Sequence, residues 1–316
     1  MGGRCLGARV DVPQGRACVF IFFPSQPQPL QSSLPSLPQF GAAALASLPK
    51  DMAGALSRGA LSMGYVRLWL KASTTPLLGA LVRAFPGFRD RVLGNPRFLL
   101  VLAIEELIGC SARMAGEIQG RPGDRFWKEI NFVASDMSLE VIGDFFIVWL
   151  LSPRACFAPR SSSAAARALA GLPAHCLQVG GYTLAQRLGA LALRGAQFFA
   201  VGAGAAALGH SATVAMVERQ KAAAAARGEK PPKLKKGETP PKELGPVLDT
   251  AAAWGVFMAL SSNARYQLVN GLEERVLDPL PLPPLAKSAA TFWLRFGNTF
   301  VGTVNWMWWA KLVGVQ

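Results

Sequence analysis

Beyond residue 95, apolar residues recur with helical spacing in long stretches that charged and turn-forming residues separate. The stretches lie at about 98–118, 130–151, 189–217, 247–271 and 289–313. Each is close to the roughly 20 residues that an α-helix needs to cross a bilayer. Residues 195–217 contain no charged side chain, and their Gly and Ala residues have the spacing of closely packed membrane helices. The pattern predicts an all-α fold, a polytopic helical membrane protein with about five membrane-embedded helices.

The distribution of charge supports this prediction. Charged residues make up 16% of the 316-residue chain, against roughly 25% in a typical soluble domain. They are concentrated between the predicted helices, and residues 218–246 alone carry twelve of them in a Lys/Pro-rich sequence. We expect this segment to be a disordered loop. A soluble helix would instead carry a polar face along its whole length.

The net charge of +14 has two explanations, loop charge on a membrane protein or nucleic-acid binding. Proteins that bind single-stranded nucleic acids combine basic residues with aromatic side chains on which the bases stack. The most basic stretch lies within residues 218–246 and has no aromatic residue. We therefore expect a lipid bilayer as a partner and no nucleic acid.

The chain before residue 95 has a different composition. Residues 1–50 contain a single acidic residue, Asp11, together with Arg, Ser and Pro. This composition is typical of organelle transit peptides and also of disordered tails. Residues 51–94 place Arg and Lys among apolar residues, as in an amphipathic surface segment or a basic linker. We therefore divide the chain into a transit peptide or disordered N-terminus, a basic amphipathic or linker segment, and a membrane domain at 95–316.

Ionisable residues inside the predicted helices are the main candidates for a functional site. Asp136, Glu140 and Asp144 follow one another at intervals of four, which places the three carboxylates within a stripe about 80° wide on one helix. Because a carboxylate that faces lipid is costly, the stripe must face protein or water. Two interpretations remain open. Asp136 and Asp144 form structural ion pairs with Arg265 and Arg295, or the carboxylates line a polar path for a cationic solute or protons.

The sequence favours neither a catalytic nor a metal site. Its five Cys form no Cys-x-x-Cys pair, and its two His lack the spacing of a zinc site. No nucleophile and base are arranged for covalent catalysis, and no phosphate loop or dinucleotide fingerprint occurs. We therefore expect no catalytic residue, no metal, no cofactor and no enzyme activity.

Several segments beyond residue 95 match a known pattern. They are PVLDTAAAWGVFMALSSNARYQLVNGLE at 246–273, NPRFLL at 95–100, FWKE at 126–129, RFGN at 295–298 and WAKLVGVQ at 309–316. Together they resemble the RETICULATA-like family of plant and algal plastid proteins. Glu117 also fits the family pattern, whereas Glu140 stands where a small or apolar residue is expected.

The resemblance implies a multi-pass chloroplast membrane protein of the inner envelope that is linked to plastid metabolism and leaf development. It further implies transport of small metabolites, with basic amino acids as the substrate. The substrate-binding residues would be Glu105, Asp136, Asp144, Asn263, Arg265, Gln267, Asn270, Arg295 and Asn298. In this interpretation the carboxylates attract the cationic groups of the solute, and Arg265 or Arg295 attracts its carboxylate.

A second function from a different class also fits the sequence, namely a membrane scaffold or assembly protein that transports nothing. A transporter needs a polar cavity that reaches the membrane midplane, whereas a scaffold can close its charges into ion pairs. Five spans are few for a transporter, so the first interpretation allows a homo-oligomer with a shared pathway.

The composition of the N-terminus generates a prediction about targeting. Residues 1–60 fused to a fluorescent protein should direct it to plastids, because acid-poor, Ser-containing N-termini are recognised as transit peptides. Fluorescence microscopy of plant cells measures this, with the unfused fluorescent protein as the control. A cytosolic signal from the fusion would show that this segment is not a complete transit peptide.

Overall fold

The computed structural model describes residues 45–157, 163–228 and 246–315. Within these ranges the regular secondary structure is helical, without a strand. The helices are α1 (Lys50–Ser57), α2 (Met63–Thr74), α3 (Leu78–Ala84), α4 (Pro86–Gly94), α5 (Phe98–Gly120), α6 (Asp124–Lys128), α7 (Ile130–Leu151), α8 (Ala164–Ala170), α9 (Leu184–Ala226), α10 (Val247–Phe257), α11 (Asn263–Leu272) and α12 (Pro284–Leu312). Two π-helical turns, Met258–Ser262 and Glu273–Leu277, follow α10 and α11 directly.

The five apolar stretches are helical, which confirms the all-α part of the prediction. α7 begins and ends at the predicted residues. α9 is longer than predicted, with 43 residues, because its sequence ends in a run of Ala, the residue of highest helix propensity. The stretch at 247–271 forms two helices rather than one, since a π-helical turn separates α10 from α11.

The predicted number of membrane-embedded helices is wrong, and with it the multi-pass topology. In the described parts of the chain, one segment, Leu184–Ala223 within α9, is long and apolar enough to cross a membrane, on grounds of length and composition alone. α7 carries three carboxylates within nine residues, which are costly in lipid. α10 and α11 have only 11 and 10 residues each, fewer than the roughly 20 of a span.

Helices α1 to α4 pack against the beginning of α5 and the end of α7 around a hydrophobic core. Met52, Val66, Leu93 and Phe98 are fully buried in this core. Residues 51–94 thus contribute a packed layer of apolar side chains. The sequence alone did not predict this layer, because basic residues are interspersed among its apolar residues.

Two arginines of α4 are buried at the edge of this core. Arg89 donates hydrogen bonds to the carboxylates of Asp51 and Asp90. Arg91 donates to the carbonyl of Trp149 at 2.6 Å, and its guanidinium carbon lies 3.7 Å from the centroid of that indole ring. Because a buried cation must be paired or hydrogen-bonded, these contacts fix α4 against α1 and α7.

The helices α7, α9, α10, α11 and α12 form the second part of the fold. α9 packs closely against α10, where a Cβ atom at Gly255 would lie 2.9 Å from Ala203 and 3.0 Å from Phe199. A Cβ atom at Gly202 would similarly lie 2.7 Å from Met258. Small residues on α9 and α10 therefore allow the close approach that the spacing in 195–217 predicted.

Parts of two sequence predictions lie outside the described residues. Residues 1–44, most of the predicted transit peptide, and residues 229–245 of the predicted Lys/Pro-rich loop belong to this group. The beginning of the predicted loop is described, and there residues 218–226 continue α9 as helix.

The end of α4 generates a prediction about stability. A Cβ atom at Gly94 would overlap the backbone of Arg154 and Ala155. Because backbone atoms cannot rotate away, Gly94→Ala should lower the free energy of unfolding by about 1–3 kcal/mol, measured by urea denaturation of the purified protein. Gly116→Ala is the matched control, since no contacting atom of the described residues lies within 4 Å of its Cβ position and the change should stabilise α5 by about 0.5–1 kcal/mol. Equal unfolding midpoints for the two variants would contradict the packing described here.

Candidate functional site

A cavity of about 830 Å³ lies among α5, α7, α9, α10, α11 and α12. Small-molecule sites have volumes of roughly 300–1,000 Å³. Glycines on four helices line the cavity among the described residues: Gly109 and Gly116 of α5, Gly143 of α7, Gly202 and Gly209 of α9, and Gly302 of α12. At Gly109, Gly202, Gly209 and Gly302 a Cβ atom would lie within 3 Å of a neighbouring side chain, so these glycines let the side chains around the cavity pack closely.

Carboxylates line the cavity where α5 and α7 meet. They belong to Asp136, Glu140 and Asp144 of α7 and to Glu105 and Glu117 of α5. The three α7 residues share one face because each interval of four residues rotates the side-chain direction by only about 40°. The predicted stripe of carboxylates therefore exists, and it faces the cavity.

Asp144 is the most deeply buried carboxylate of this stripe. The residue is 8% exposed, and its Oδ2 atom has no hydrogen-bond partner among the described residues. Gly109 of α5 lies against it, and a Cβ atom there would overlap Oδ2. Burial, followed by the negative charges of Glu105, Glu140 and Glu106, raises the pKa of Asp144 to about 9. Asp144 is therefore a neutral carboxylic acid at pH 7.

Glu106, Glu140 and Asp136 are more exposed than Asp144, and Glu140 and Asp136 each have an arginine nearby. Burial, and then the charges of nearby carboxylates led by Glu140, raise the pKa of Glu106 to about 7. Glu140 lies 3.2 Å from Arg113, and Asp136 lies 4.0 Å from Arg121. These pairs stay partly in contact with solvent, so each should contribute at most about 1 kcal/mol to stability.

A fully buried ion cluster lies beside the cavity. Arg295 of α12 donates two hydrogen bonds of 2.8 Å to Glu273 and one of 2.7 Å to Glu105. The hydroxyl of Tyr266 donates to the other oxygen of Glu105. Burial alone would lower the pKa of Arg295, but the charges of Glu273 and Glu105 outweigh burial and raise it. One guanidinium between two carboxylates leaves a net negative charge near Asp144.

Arg265 of α11 brings a positive charge to the cavity. Its guanidinium donates to the backbone and side-chain oxygens of Asn298 at 2.9 Å each and to Ser262 at 3.2 Å. Among the described residues, no carboxylate lies within ion-pair distance of it. Gly302 provides the space, since a Cβ atom there would lie 2.8 Å from two guanidinium nitrogens. Burial lowers the pKa of Arg265, which nevertheless remains a cation at pH 7 because an unperturbed guanidinium has a pKa above 12.

Aromatic rings cover another side of the cavity. Trp254 and Phe257 of α10 and Trp306 of α12 line it. The ring centroids of Trp254 and Trp306 are 4.5 Å apart with the planes nearly perpendicular, an edge-to-face arrangement that stabilises aromatic pairs. The cavity thus combines carboxylates, the guanidinium groups of Arg113 and Arg265, and aromatic surface.

Four of the nine predicted site residues line the cavity: Glu105, Asp136, Asp144 and Arg265. Arg295 and Asn298 lie behind it, where they hold Glu105 and Arg265 through the hydrogen bonds described above.

The three remaining residues connect α11 to its surroundings and do not line the cavity. Asn263 donates to the carbonyl of Leu191 on α9 at 3.0 Å. Gln267 accepts from the backbone amide of Cys176 at 2.6 Å. Asn270 donates to a carbonyl one turn earlier in its own helix, at 2.8 Å. Their contacts are those of residues that position helices and loops.

The first of the two interpretations of the carboxylate stripe, in which Asp136 and Asp144 pair with Arg265 and Arg295, does not agree with the ion pairs of the described residues. Arg295 pairs with Glu105 and Glu273, because α12 packs against α5 and the second π-helical turn. Arg265 contacts amide and hydroxyl oxygens instead of a carboxylate. Among the described residues, Asp136 forms an ion pair with Arg121. This pair was not predicted from the sequence.

Sequence reasoning missed Glu273 and Tyr266. Seven residues span nearly two full helical turns, so Tyr266 and Glu273 lie on nearly the same face of a regular α-helix. This spacing was the available signal, since the π-helical turn begins only at Glu273. Tyr266 was overlooked because an aromatic residue in an apolar helix usually signals core packing.

The chain was compared with known proteins. Residues 90–272 match the RETICULATA-like family, described as Protein RETICULATA-related. The chain is 35% identical to Protein RETICULATA-RELATED 4, chloroplastic, of Arabidopsis thaliana, over 84% of this chain and 68% of that protein. It is 32% identical to Protein RETICULATA-RELATED 5, chloroplastic, of the same plant, over 84% of this chain but only 37% of that protein. With Protein RETICULATA, chloroplastic, the identity is 29% over 77% of this chain and 56% of that protein.

These coverages mean that the chain spans between about a third and two thirds of the relatives named here. No solved structure matches the chain.

The buried ion cluster generates a prediction about stability. Arg295→Met removes the cation between Glu105 and Glu273 and leaves two buried carboxylates unpaired, which should cost about 3–5 kcal/mol. We expect strongly reduced accumulation and a lower unfolding temperature of the purified protein. Arg113→Met is the matched control, because the Arg113 side chain is 44% exposed and its loss should cost at most about 1 kcal/mol. Similar accumulation of both variants would contradict a structural role of the cluster.

Proposed function

The chain belongs to the RETICULATA-like family, and we propose that it is a chloroplast protein that binds a small cationic metabolite in the cavity described above. The chloroplast assignment is supported by the relatives, whose names describe them as chloroplastic. Binding rather than catalysis is proposed because the cavity offers charges and aromatic surface for recognition. The residues that would bind the solute are Asp136, Asp144, Glu105 and Arg265.

Asp144 carries this proposal. A buried carboxyl group with an oxygen that no protein group satisfies is costly, and Asp144 faces a cavity in which carboxylates outnumber guanidinium groups. A cationic ligand would supply the missing partner and offset the repulsion among the carboxylates. Inside a protein such a charge-assisted hydrogen bond is about twice as strong as a neutral one.

Basic amino acids are the substrate class that we propose. They carry a cation at the side chain, and at the α-carbon a carboxylate beside an ammonium group. The carboxylates of α5 and α7 would bind the side-chain cation, while Arg265 would bind the α-carboxylate. The guanidinium suits this role because its planar donors match carboxylate geometry, and because no carboxylate among the described residues engages it.

We further propose that binding serves transport of the metabolite at the inner envelope, in contact with the lipid bilayer. One helix cannot enclose a path through a bilayer, and α9 is the single candidate span among the described residues. Transport by this chain would therefore require a homo-oligomer that surrounds a shared path. A supply of basic amino acids of this kind would connect the protein to plastid metabolism and leaf development.

A scaffold or assembly role is the second candidate function. It is favoured by large apolar side chains that α12 leaves exposed, among them Trp293, Phe300 and Trp308. Exposed apolar surface of this extent marks interaction sites in many proteins. A scaffold would use α12 to contact other membrane components and would need no ligand in the cavity.

The proposed function generates a prediction about binding. The purified full-length chain in detergent should bind L-arginine or L-lysine, measured by isothermal titration calorimetry. The double variant Asp136→Asn with Asp144→Asn should weaken binding at least about tenfold, because each charge-assisted hydrogen bond is worth roughly 1.5–3 kcal/mol. L-Glutamate should not bind, since the cavity carries excess negative charge.

Asp124→Asn is the matched control, because Asp124 is exposed at the beginning of α6 and does not line the cavity. It should bind like the unmodified chain. Absence of binding of every basic amino acid tested would contradict the proposed function and leave the scaffold role. Uptake into proteoliposomes tests transport separately, and binding without uptake would contradict transport alone.

A further inference from the structure

Asp144 differs from every other carboxylate of the cavity in its surroundings. It is over nine-tenths buried, its Oδ2 is unpartnered in the described part of the chain, and it is pressed against the backbone of α5 at Gly109. Glu140 and Asp136, one and two turns earlier on the same face, each have an arginine within 4.0 Å. Among the described residues Asp144 has none, although it lies in the same cavity.

The charges around Asp144 come from every element packed against it. Its titratable and charged neighbours are Glu105, Glu106, Cys110 and Arg113 of α5, Glu140 of α7 itself, His210 of α9, Arg265 and Tyr266 of α11, and Arg295 of α12 behind Glu105. Arg295 is neutralised by two carboxylates, and Arg113 is held by Glu140. The surroundings therefore favour the neutral, protonated form of Asp144.

We propose that Asp144 holds a proton until a cation enters the cavity and then releases it, so that one proton leaves for each cation bound. This inference rests on the proposed function, because it concerns the same cavity and the same class of ligand. In this exchange the O–H bond of the carboxylic acid breaks and the proton passes to solvent water. The carboxylate that remains forms a charge-assisted hydrogen bond with the cation, and the net charge of the cavity does not change.

The exchange follows because a nearby cation lowers the pKa of a buried carboxyl group. Without a cation, burial and three neighbouring carboxylates hold the pKa of Asp144 near 9. A positive charge within about 4–6 Å lowers the pKa of a carboxyl group by 1–3 units. Between the lowered and the raised pKa, binding and proton release are linked, and the affinity should rise with pH by at most tenfold per pH unit.

Proton release by the full-length chain in detergent tests the proposal. L-Arginine is titrated at pH 8 by calorimetry in two buffers of different ionisation enthalpy, and the difference in heat gives the number of protons released. At pH 8 Glu106 is already ionised, whereas Asp144 is still protonated. For a pKa of about 9 that is lowered by 1–3 units, we expect about 0.4–0.9 proton released per bound arginine, and an affinity that rises about 2- to 8-fold between pH 7.5 and pH 8.5.

Two variants identify the source of the proton. Asp144→Asn should bind more weakly, release close to no proton, and lose the dependence on pH. Asp136→Asn removes a carboxylate of the same stripe that is near Arg121; it should also bind more weakly, but with the same proton release as the unmodified chain. This pattern would support the proposal even if Asp144→Asn binds too weakly to be titrated, because Asp136→Asn would still show whether a proton is released on binding.

Three results would overturn the proposal. Binding by the unmodified chain without proton release would exclude the exchange and leave the proposed function intact. Proton release that persists in Asp144→Asn would assign the proton to another group. Loss of proton release in Asp136→Asn would assign it to Asp136. Absence of any binding by the unmodified chain would instead contradict the proposed function itself, together with this inference.

Discussion

The arrangement of the long helices depends on the buried cluster of Arg295, Glu105 and Glu273. Moving an ionised side chain out of water costs several kcal/mol unless hydrogen bonds and opposite charges compensate. Here the guanidinium reaches both oxygens of Glu273 and one oxygen of Glu105 at normal hydrogen-bond distances. Since these residues lie on α12, α5 and the π-helical turn after α11, the requirement to pair them fixes three elements relative to one another. Tyr266 extends the same network to α11.

The charge of the cavity follows from the ratio of acidic to basic groups in this cluster. Arg295 is shared between two carboxylates, so it has no charge left to offset Asp144. Arg265 is held by Asn298 and Ser262, which keeps its guanidinium at the cavity without neutralising a carboxylate. The cavity therefore contains more carboxyl groups than guanidinium groups. The Arg265 guanidinium forms no ion pair with a carboxylate of the described residues. Both properties suit a ligand with positive charge at one end and a carboxylate at the other.

Much of the fold could be predicted from the sequence, because helix position depends on local periodicity. The bounds of α7 and the common face of its three carboxylates follow directly from residues 130–151. The membrane topology could not be predicted in the same way, since an apolar helix has the same composition whether lipid or other helices cover it. The π-helical turns were also unpredictable, because backbone hydrogen-bond register leaves no periodic signal in five residues. Glu273 was missed although its spacing of seven residues from Tyr266 places both on nearly one helix face.

The sequence by itself determined that the chain is helical, that it resembles the RETICULATA-like family, and that Asp136, Glu140 and Asp144 share one face. These properties depend on spacing along one chain segment. Only the tertiary structure decided which charged groups form pairs. Arg295 pairs with Glu105, 190 residues away in the sequence, and Asp144 pairs with no cation within the described residues. Pairing between distant segments depends on how helices cross and on where their register changes. The identity of the unpaired carboxylate is therefore a property of the packed molecule.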